Sequence, residues 1–424
     1  MKLVMLRACW LVLGLLGPLA LGSCAEGRMG KPLPVDDFQF PTGLAVHPAG
    51  YALVASSNFD LAYIQGALHA VDLNQLAAEL ALPVEQRPGH PTYRDTIVAE
   101  QGIGLNNFAG SVVLSDDGEL AVVAVRETNE LVFIDVAVAV TGGQAELQLS
   151  CWPGSSRPAG DFPECSGSHH RLELSDDDPY DLLLRAQPDI GGYLLWVTFL
   201  RSGDVAAVDL PPPEEGVPQQ LYSLETEVSG TSDLALAPAT GLIYVTSRFP
   251  DPQSNPLHFF DPELGAAAEM GSVDLFEQLL GNETRSIAFG SDGLTAGLVM
   301  RNPDMLVLLD TSLDYAGEPH NGFLGSIGLT ANPSRVNVMD DLFFVTGAQD
   351  DTLFVIDGRS RRLLAVREDV CRGPFEVEFW DRGDLRWALV SCFEEGTLAV
   401  LDADRDSATF LEVLARVGEP HFED

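Results

Sequence analysis

The chain has 424 residues, and because 46% of them are hydrophobic it has ample apolar material for a folded core. Its 63 Asp and Glu residues face only 24 Lys and Arg, which gives a formal net charge of −39. Such an acidic chain excludes a nucleic-acid-binding protein, which must neutralise phosphates, and a protein held to anionic lipid by basic residues.

The N-terminus predicts export and a lipid anchor. Lys2 and Arg7 precede an apolar run at residues 8–21, a pattern that is typical of a signal peptide over residues 1–23. The run is too short for a comfortable membrane span. The run closes on Leu-Gly-Ser-Cys at residues 21–24, which resembles the lipobox of bacterial lipoproteins. The resemblance implies a lipidated Cys24, a short tether over residues 24–35, and anchoring to the bacterial cell envelope. Ala25 is not Asp, which favours the outer membrane. An ordinary cleaved signal with a chance cysteine is the alternative.

Four further cysteines agree with an exported protein. They are Cys151, Cys165, Cys371 and Cys392. An even number in an oxidising compartment predicts two disulfides, for which three pairings exist. We favour Cys151–Cys165 and Cys371–Cys392, and zinc is less well supported because the chain has no CxxC pair.

A repeated triplet, two hydrophobic residues followed by Asp, organises the rest of the chain. Seven copies, roughly 55 residues apart, end in Asp72, Asp135, Asp209, Asp261, Asp310, Asp357 and Asp402. Each Asp is interpreted as an acceptor for backbone N–H groups in the turn after its strand. Each copy has two strand-like runs before the triplet. A fourth strand follows it in several copies, predicted at residues 96–99, 146–149, 362–367 and 409–414.

Four strands at this period predict an all-β fold, a seven-bladed β-propeller over residues 36–424. The repeats resemble YVTN-type bacterial β-propellers, a group that includes lactonase-like enzymes. Only residues 73–82 and 273–280 show helical patterning. Residues 151–178 form an insertion predicted to be a surface loop. The last blade is completed either by residues 409–414 or by residues 36–40 from the N-terminus.

The aligned repeats bring arginines to one face. Starts of inner strands, and the connections between second and third strands, meet at one mouth of a propeller channel, where ligand sites are usual. In blades two to five, Arg occupies the same point of the repeat. The predicted cationic sector is Arg126, Arg201, Arg248 and Arg301, with Arg285 and Arg335. The planar guanidinium group of arginine can donate two parallel hydrogen bonds to a carboxylate or phosphate, so the sector is a candidate ligand site. The alternative is that these arginines pair with carboxylates of neighbouring blades.

The same face carries Asp181, Asp233 and Glu376, a candidate calcium site of oxygen ligands. The sequence shows no GxSxG, HExxH or P-loop motif, and no catalytic residue is assigned. The favoured function is therefore a monomeric, non-enzymatic binding scaffold with a protein, anionic small-molecule or glycan partner and no required cofactor. A calcium-assisted, lactonase-like hydrolase is the alternative.

Overall fold

The computed structural model describes residues 30–141, 144–151, 162–189, 191–226, 228–249, 256–275, 283–330 and 332–421. Cys24 and the predicted signal peptide lie outside these residues. The described strands form seven antiparallel sheets. The first four strands of each sheet follow one another in chain order, from the innermost strand outwards, and one sheet has a fifth strand that pairs with its third. Among the described residues, no helix is both long and apolar enough to cross a membrane.

The first four blades run from Pro41 to Asp274. Blade one consists of β1 (Pro41–His47), β2 (Tyr51–Ser56), β3 (Gly66–Asp72) and β4 (Ile103–Leu105). Blade two consists of β5 (Ala109–Leu114), β6 (Leu120–Val125), β7 (Glu130–Thr141), β8 (Gln144–Ser150) and β9 (Arg171–Glu173). Blade three consists of β10 (Pro179–Ala186), β11 (Tyr193–Phe199), β12 (Val205–Leu210) and β13 (Gln219–Leu224). Blade four consists of β14 (Ser229–Leu236), β15 (Ile243–Phe249), β16 (Pro256–Phe260) and β17 (Gly271–Asp274).

The last three blades complete the ring. Blade five consists of β18 (Glu283–Phe289), β19 (Thr295–Arg301), β20 (Met305–Asp310) and β21 (Gly322–Gly328). Blade six consists of β22 (Pro333–Met339), β23 (Leu342–Gly347), β24 (Thr352–Asp357) and β25 (Arg362–Arg367). Blade seven consists of β26 (Pro374–Asp381), β27 (Arg386–Cys392), β28 (Thr397–Asp402) and β29 (Val413–Val417). Each inner strand lies against the inner strands of both neighbouring blades, so the ring is closed. The fold is a seven-bladed β-propeller, as predicted.

The hydrophobic core is divided among the seven interfaces between blades. Strand β6 shows why: its side chains alternate between the two faces of the sheet. Ala121 and Val123 pack towards blade one, while Val122 and Ala124 pack towards blade three. Because both faces are covered, the central strands are apolar at almost every position. Near their first residues, the inner strands instead carry polar side chains that face the channel.

The repeated Asp residues mostly have the predicted structural role. The side chains of Asp72, Asp261, Asp310, Asp357 and Asp402 each accept a hydrogen bond from a backbone N–H two or three residues onward. Asp72 thereby caps the single α-helix of the described residues, α1 (Leu73–Leu80). Asp209 instead accepts from the Gln187 side chain, and Asp135 lies 4.0 Å from His170.

Several predicted local elements differ from the observed ones. The predicted strand at residues 96–99 is wrong, because that stretch makes 3₁₀ turns and the fourth strand of blade one is β4. The predicted helix at residues 273–280 begins in strand β17, and its residues 276–280 lie outside the described part. The insertion at residues 151–178 was predicted to be a loop, but it returns to the sheet as β9, which pairs with β7.

The C-terminal segment completes blade seven, which settles the two predicted ways of closing the ring. Strand β29 starts at Val413, later than predicted, because Ser407 and Thr409 donate hydrogen bonds to Asp402 in a turn. The N-terminal segment forms no strand there. Instead, the Asp37 side chain accepts a hydrogen bond from the Glu419 N–H at 3.0 Å. Side-chain contacts therefore join the two ends of the described chain.

Candidate functional site

The mouth of the channel collects four of the six predicted arginines. Arg248, Arg285, Arg301 and Arg335 line one recess of about 210 Å³ together with Tyr180. They come from blades four, five and six, and Tyr180 comes from the start of β10 in blade three. We call these five residues the arginine recess. The repeat alignment predicts this convergence because it places all four arginines at the same end of the blades.

Tyr180 is the organising residue of this recess. Its ring faces three guanidinium groups, with the Arg126, Arg248 and Arg335 carbons 5.4, 5.7 and 5.4 Å from the ring centroid. Arg248 Nη1 also donates a hydrogen bond of 3.3 Å to the Tyr180 hydroxyl. Guanidinium groups at such distances are attracted to the negative face of an aromatic ring. The sequence analysis did not assign Tyr180 to the site, although its position at an inner-strand start was the available signal.

Arg285 and Arg301 lie in an environment that disfavours their charges. Arg285 forms an ion pair with Glu283, yet burial and the neighbouring Arg248 and Arg301 lower its pKa to about 10. Burial, with Arg248 nearby, also lowers the pKa of Arg301. Clustered cations of this kind gain stability when an anion approaches them. The recess is therefore electrostatically suited to an anionic group.

Hydrogen bonds hold Arg301 in place at the rim. Its Nε donates to the Pro333 carbonyl at 2.8 Å, and its Nη2 donates to the Asn332 carbonyl and the Ser334 hydroxyl, each at 2.8 Å. A guanidinium fixed by neutral acceptors keeps its full positive charge without a carboxylate partner. Arg301 can therefore offer a pre-oriented charge to a ligand.

The other two predicted arginines do not line this recess, although Arg126 contacts Tyr180. Arg126 reaches across the blade boundary to Asp178, with its Nε and Nη2 at 2.5 and 3.1 Å from the two carboxylate oxygens. The Arg201 side chain is 76% exposed and lies 3.4 Å from Asp177. For these two residues the geometry is that of the alternative interpretation, in which arginines pair with carboxylates of neighbouring elements.

Arg335 lies between the recess and a second cavity of the channel, and it lines both. Its Nη1 lies 3.1 Å from Asp233 and 3.5 Å from Asp181, and its Nε lies 3.5 Å from Glu376. Burial opposes its charge, but these three carboxylates hold the Arg335 pKa above its ordinary value. The three residues predicted to bind calcium thus lie together, around a guanidinium. No group of three or more His, Cys, Asp or Glu side chains poised for a metal occurs in the described ranges.

The carboxylates around Arg335 differ in their proton affinity. Burial opposes ionisation of Asp181, but Arg335 holds its pKa below the ordinary value. Burial and the adjacent Asp181 charge raise the pKa of Asp233 well above it. Burial also raises the pKa of Glu376 to about 7. Burial and the neighbouring Glu376 charge raise the pKa of Glu378 to about 8. Glu376 and Glu378 line a chamber of about 350 Å³ on the far side of Arg335.

Both predicted disulfides are confirmed. Cys371 and Cys392 are joined with their Cα atoms 5.7 Å apart, at the channel end of blade seven. Cys151 and Cys165 are joined with their Cα atoms 5.0 Å apart, at the base of the insertion. The first bridge ties the residues before β26 to the end of β27, so it stiffens the loops beside the arginine recess.

A larger groove of about 1110 Å³ lies at the opposite end of the ring, between blades one, two and seven. Its charged lining is mainly acidic, with Asp72, Asp95, Glu100, Glu146 and Asp381 against Arg382. Such a lining repeats the acidic character of the whole chain, whereas the arginine recess departs from it. We therefore take the recess as the candidate functional site.

Comparison with known proteins shows the fold and no family. No family model and no curated protein matches the sequence. Among solved structures, the chain is similar to Kuenenia stuttgartiensis hydrazine synthase, with a TM-score of 0.56 and 11% identity over 88% of this chain and 97% of that one. It is also similar to Chaetomium thermophilum Sqt1, with a TM-score of 0.58 and 13% identity over 90% of this chain and 87% of that one. The β-propeller domain of Myceliophteria thermophila Cps50 (Swd1) has a TM-score of 0.57 and 10% identity over 85% of this chain and 96% of that one.

Proposed function

We propose that this protein is a binding propeller that holds an anionic ligand at the arginine recess without transforming it. The observation that carries the proposal is the meeting of Arg248, Arg285 and Arg301 in one recess of a chain with net charge −39. Burial and mutual repulsion already lower the pKa values of Arg285 and Arg301. A bound carboxylate or phosphate would relieve that repulsion and accept charge-assisted hydrogen bonds.

Binding of simple anions tests this proposal. Isothermal titration calorimetry with inorganic phosphate and with acetate is expected to show one site on the wild-type protein. Arg248→Ala should weaken binding roughly tenfold to a hundredfold, the usual value of a charge-assisted hydrogen bond. Arg201→Ala is the matched control, since it removes the same charge from an exposed side chain outside the recess. Equal weakening by both variants would show that only net charge matters, which would contradict a defined site.

The lipid anchor and export form the second part of the proposal. Two disulfides in the structure support an oxidising compartment, and the Leu-Gly-Ser-Cys sequence supports lipidation at Cys24. A body with so many carboxylates would be repelled by anionic lipid, so the acyl chains would be its main attachment. Detergent phase partitioning tests this: the wild-type protein should enter the detergent phase and Cys24→Ala the aqueous phase. A wild-type protein that stays aqueous would refute lipidation.

A calcium-assisted hydrolase is the alternative, because Asp181, Asp233 and Glu376 do converge at one point of the channel. In the structure this point holds the Arg335 guanidinium, so calcium would have to displace it. Hydrolysis of lactones or aryl esters that requires added calcium, and that Asp233→Asn abolishes, would establish this alternative and overturn the non-enzymatic proposal.

A further inference from the structure

Five phenylalanines cluster beside the arginine recess at the same mouth of the channel. We call them the phenylalanine cluster: Phe40, Phe59, Phe108, Phe375 and Phe393. Their rings form a continuous set of contacts, with Phe393 centred 5.1 Å from Phe40, 5.4 Å from Phe59 and 6.1 Å from Phe375. Phe59 in turn lies 5.8 Å from Phe108.

The repeat explains where this cluster comes from. Phe40 and Phe108 precede the inner strands of blades one and two, Phe375 lies in the inner strand of blade seven, and Phe59 and Phe393 follow second strands. Phe375 occupies the position that Tyr180 has in blade three, and the other four lie within a few residues of the corresponding positions of their blades. The mouth is therefore divided into an aromatic side and a cationic side.

The phenylalanine cluster does not serve the hydrophobic core. None of the five side chains belongs to the packed clusters between blades, and Phe59 is 53% exposed. Phe40 and Phe108 have φ values of 51° and 58°, a left-handed backbone that is costly for a bulky side chain. Exposed aromatic area and backbone strain in one place are both typical of binding sites.

The two sides share a single recess. Phe375 and Phe393 line the same space of about 210 Å³ as Arg248, Arg301 and the other arginines. A ligand that filled it would contact guanidinium groups at one end and aromatic rings at the other. This volume lies below the range of drug-sized ligand pockets, so a small molecule fits it better than a folded partner does.

We propose that the ligand is a small amphiphilic anion, a carboxylate joined to one aromatic or branched aliphatic group. The carboxylate would lie between Arg248 and Arg301, and the apolar group would pack against Phe375 and Phe393. This inference rests on the proposed anion-binding function and adds the apolar half of the ligand. Burying one phenyl ring contributes enough to tighten binding tenfold to a hundredfold, by the usual scale for apolar area.

Calorimetry with three matched probes tests the inference on the whole protein. The probes are 3-phenylpropionate, which has both groups; acetate, which has only the charge; and 3-phenylpropanol, which has only the ring. We expect 3-phenylpropionate to bind at least tenfold more tightly than either of the others. Phe393→Ala should weaken 3-phenylpropionate about tenfold and leave acetate unchanged.

Two further variants guard the interpretation. Phe59→Ala removes a half-exposed ring of the same cluster and serves as the second variant in case Phe393→Ala does not fold. It should also weaken the binding of 3-phenylpropionate. Phe323→Ala is the control, because Phe323 is 46% exposed on strand β21, the outermost strand of blade five. It should change neither probe.

The outcomes separate this inference from the proposed function. If acetate and 3-phenylpropionate bind equally, the aromatic half is refuted while anion binding stands. If 3-phenylpropanol binds as tightly as 3-phenylpropionate, the charge is irrelevant and both proposals fail. If no probe binds, both proposals fail as well.

Discussion

Replacing Arg335 with Met would test the electrostatic core of the channel. The substitution puts an unbranched apolar side chain in place of the arginine and so removes the cation that Asp181, Asp233 and Glu376 surround at 3.1 to 3.5 Å. Removing one partner of a buried ionic group costs about 3–5 kcal/mol, because the remaining charges are left without compensation. We expect Arg335→Met to lose about 4 kcal/mol of unfolding free energy at pH 8, the middle of that range.

The loss should become smaller at low pH. In the wild-type protein Arg335 holds the pKa of Asp181 low, so this carboxylate stabilises the fold above its unfolded-state pKa. In the variant that stabilisation disappears at pH 5 and at pH 8 alike, since both lie above the unfolded-state pKa of Asp181. The pH dependence comes from Glu376, whose ionised carboxylate opposes folding at pH 8 once Arg335 is gone. At pH 5 Glu376, with its pKa of about 7, is mostly protonated and adds no charge. We expect a smaller loss there, about 2–3 kcal/mol, because Asp181 still loses its charged partner while Glu376 does not.

Urea unfolding followed by tryptophan fluorescence at pH 5 and pH 8 measures both values, since Trp196, Trp380 and Trp387 are buried. Arg201→Met is the control for removing an exposed arginine, and it should cost less than about 0.5 kcal/mol. Equal losses at the two pH values, or a loss below about 1 kcal/mol at pH 8, would refute the reasoning that Arg335 neutralises buried carboxylates.

Three shorter predictions concern the same end of the ring. Glu378→Gln should stabilise the protein, relative to the wild type, increasingly as the pH rises from about 4 to 8. The reason is that a carboxyl group whose pKa is raised to about 8 in the folded protein opposes folding over this range. Melting temperatures measured against pH show the effect, and Glu368→Gln, at an exposed position, should show no such trend. Replacing Cys371 and Cys392 together by Ser opens a bridge across 21 residues and should cost about 3 kcal/mol of unfolding free energy in urea; a loss under about 1 kcal/mol would contradict the chain-entropy account. Calcium should leave the wild-type melting temperature unchanged and raise that of Arg335→Met, whose carboxylates are freed; a rise in the wild-type protein would favour the hydrolase alternative.

The fold was predictable because its signals are local and repeated. Alternating apolar strands, the turns between them and the triplet ending in Asp recur seven times, and each copy needs only its neighbours to be recognised. Element ends were harder to predict, since they depend on individual side-chain contacts. The Asp402 turn delays β29, and the 3₁₀ turns at residues 94–101 replace the predicted strand.

The candidate site was predictable only in part. The alignment of blades placed the arginines at one end of the ring, and four of them do meet in the recess. It could not show that Arg126 turns to Asp178 or that Arg201 lies in solvent, because side-chain directions are set by loops of the neighbouring blade. It also could not place Tyr180 between three guanidinium groups.

The sequence by itself determined the number of blades, most of the strands that build them and the end of the ring at which the arginines lie, and it favoured the two disulfide pairings that the structure shows. These properties follow from the order of residues and the period of the repeat, both of which are visible in the sequence. Only the tertiary structure decided that Asp181, Asp233 and Glu376 enclose Arg335, and that phenylalanines of blade seven share one recess with arginines of blades four to six. The physical reason is that closing the ring brings together residues more than 200 positions apart, such as Tyr180 and Phe393, and their distances depend on that closure.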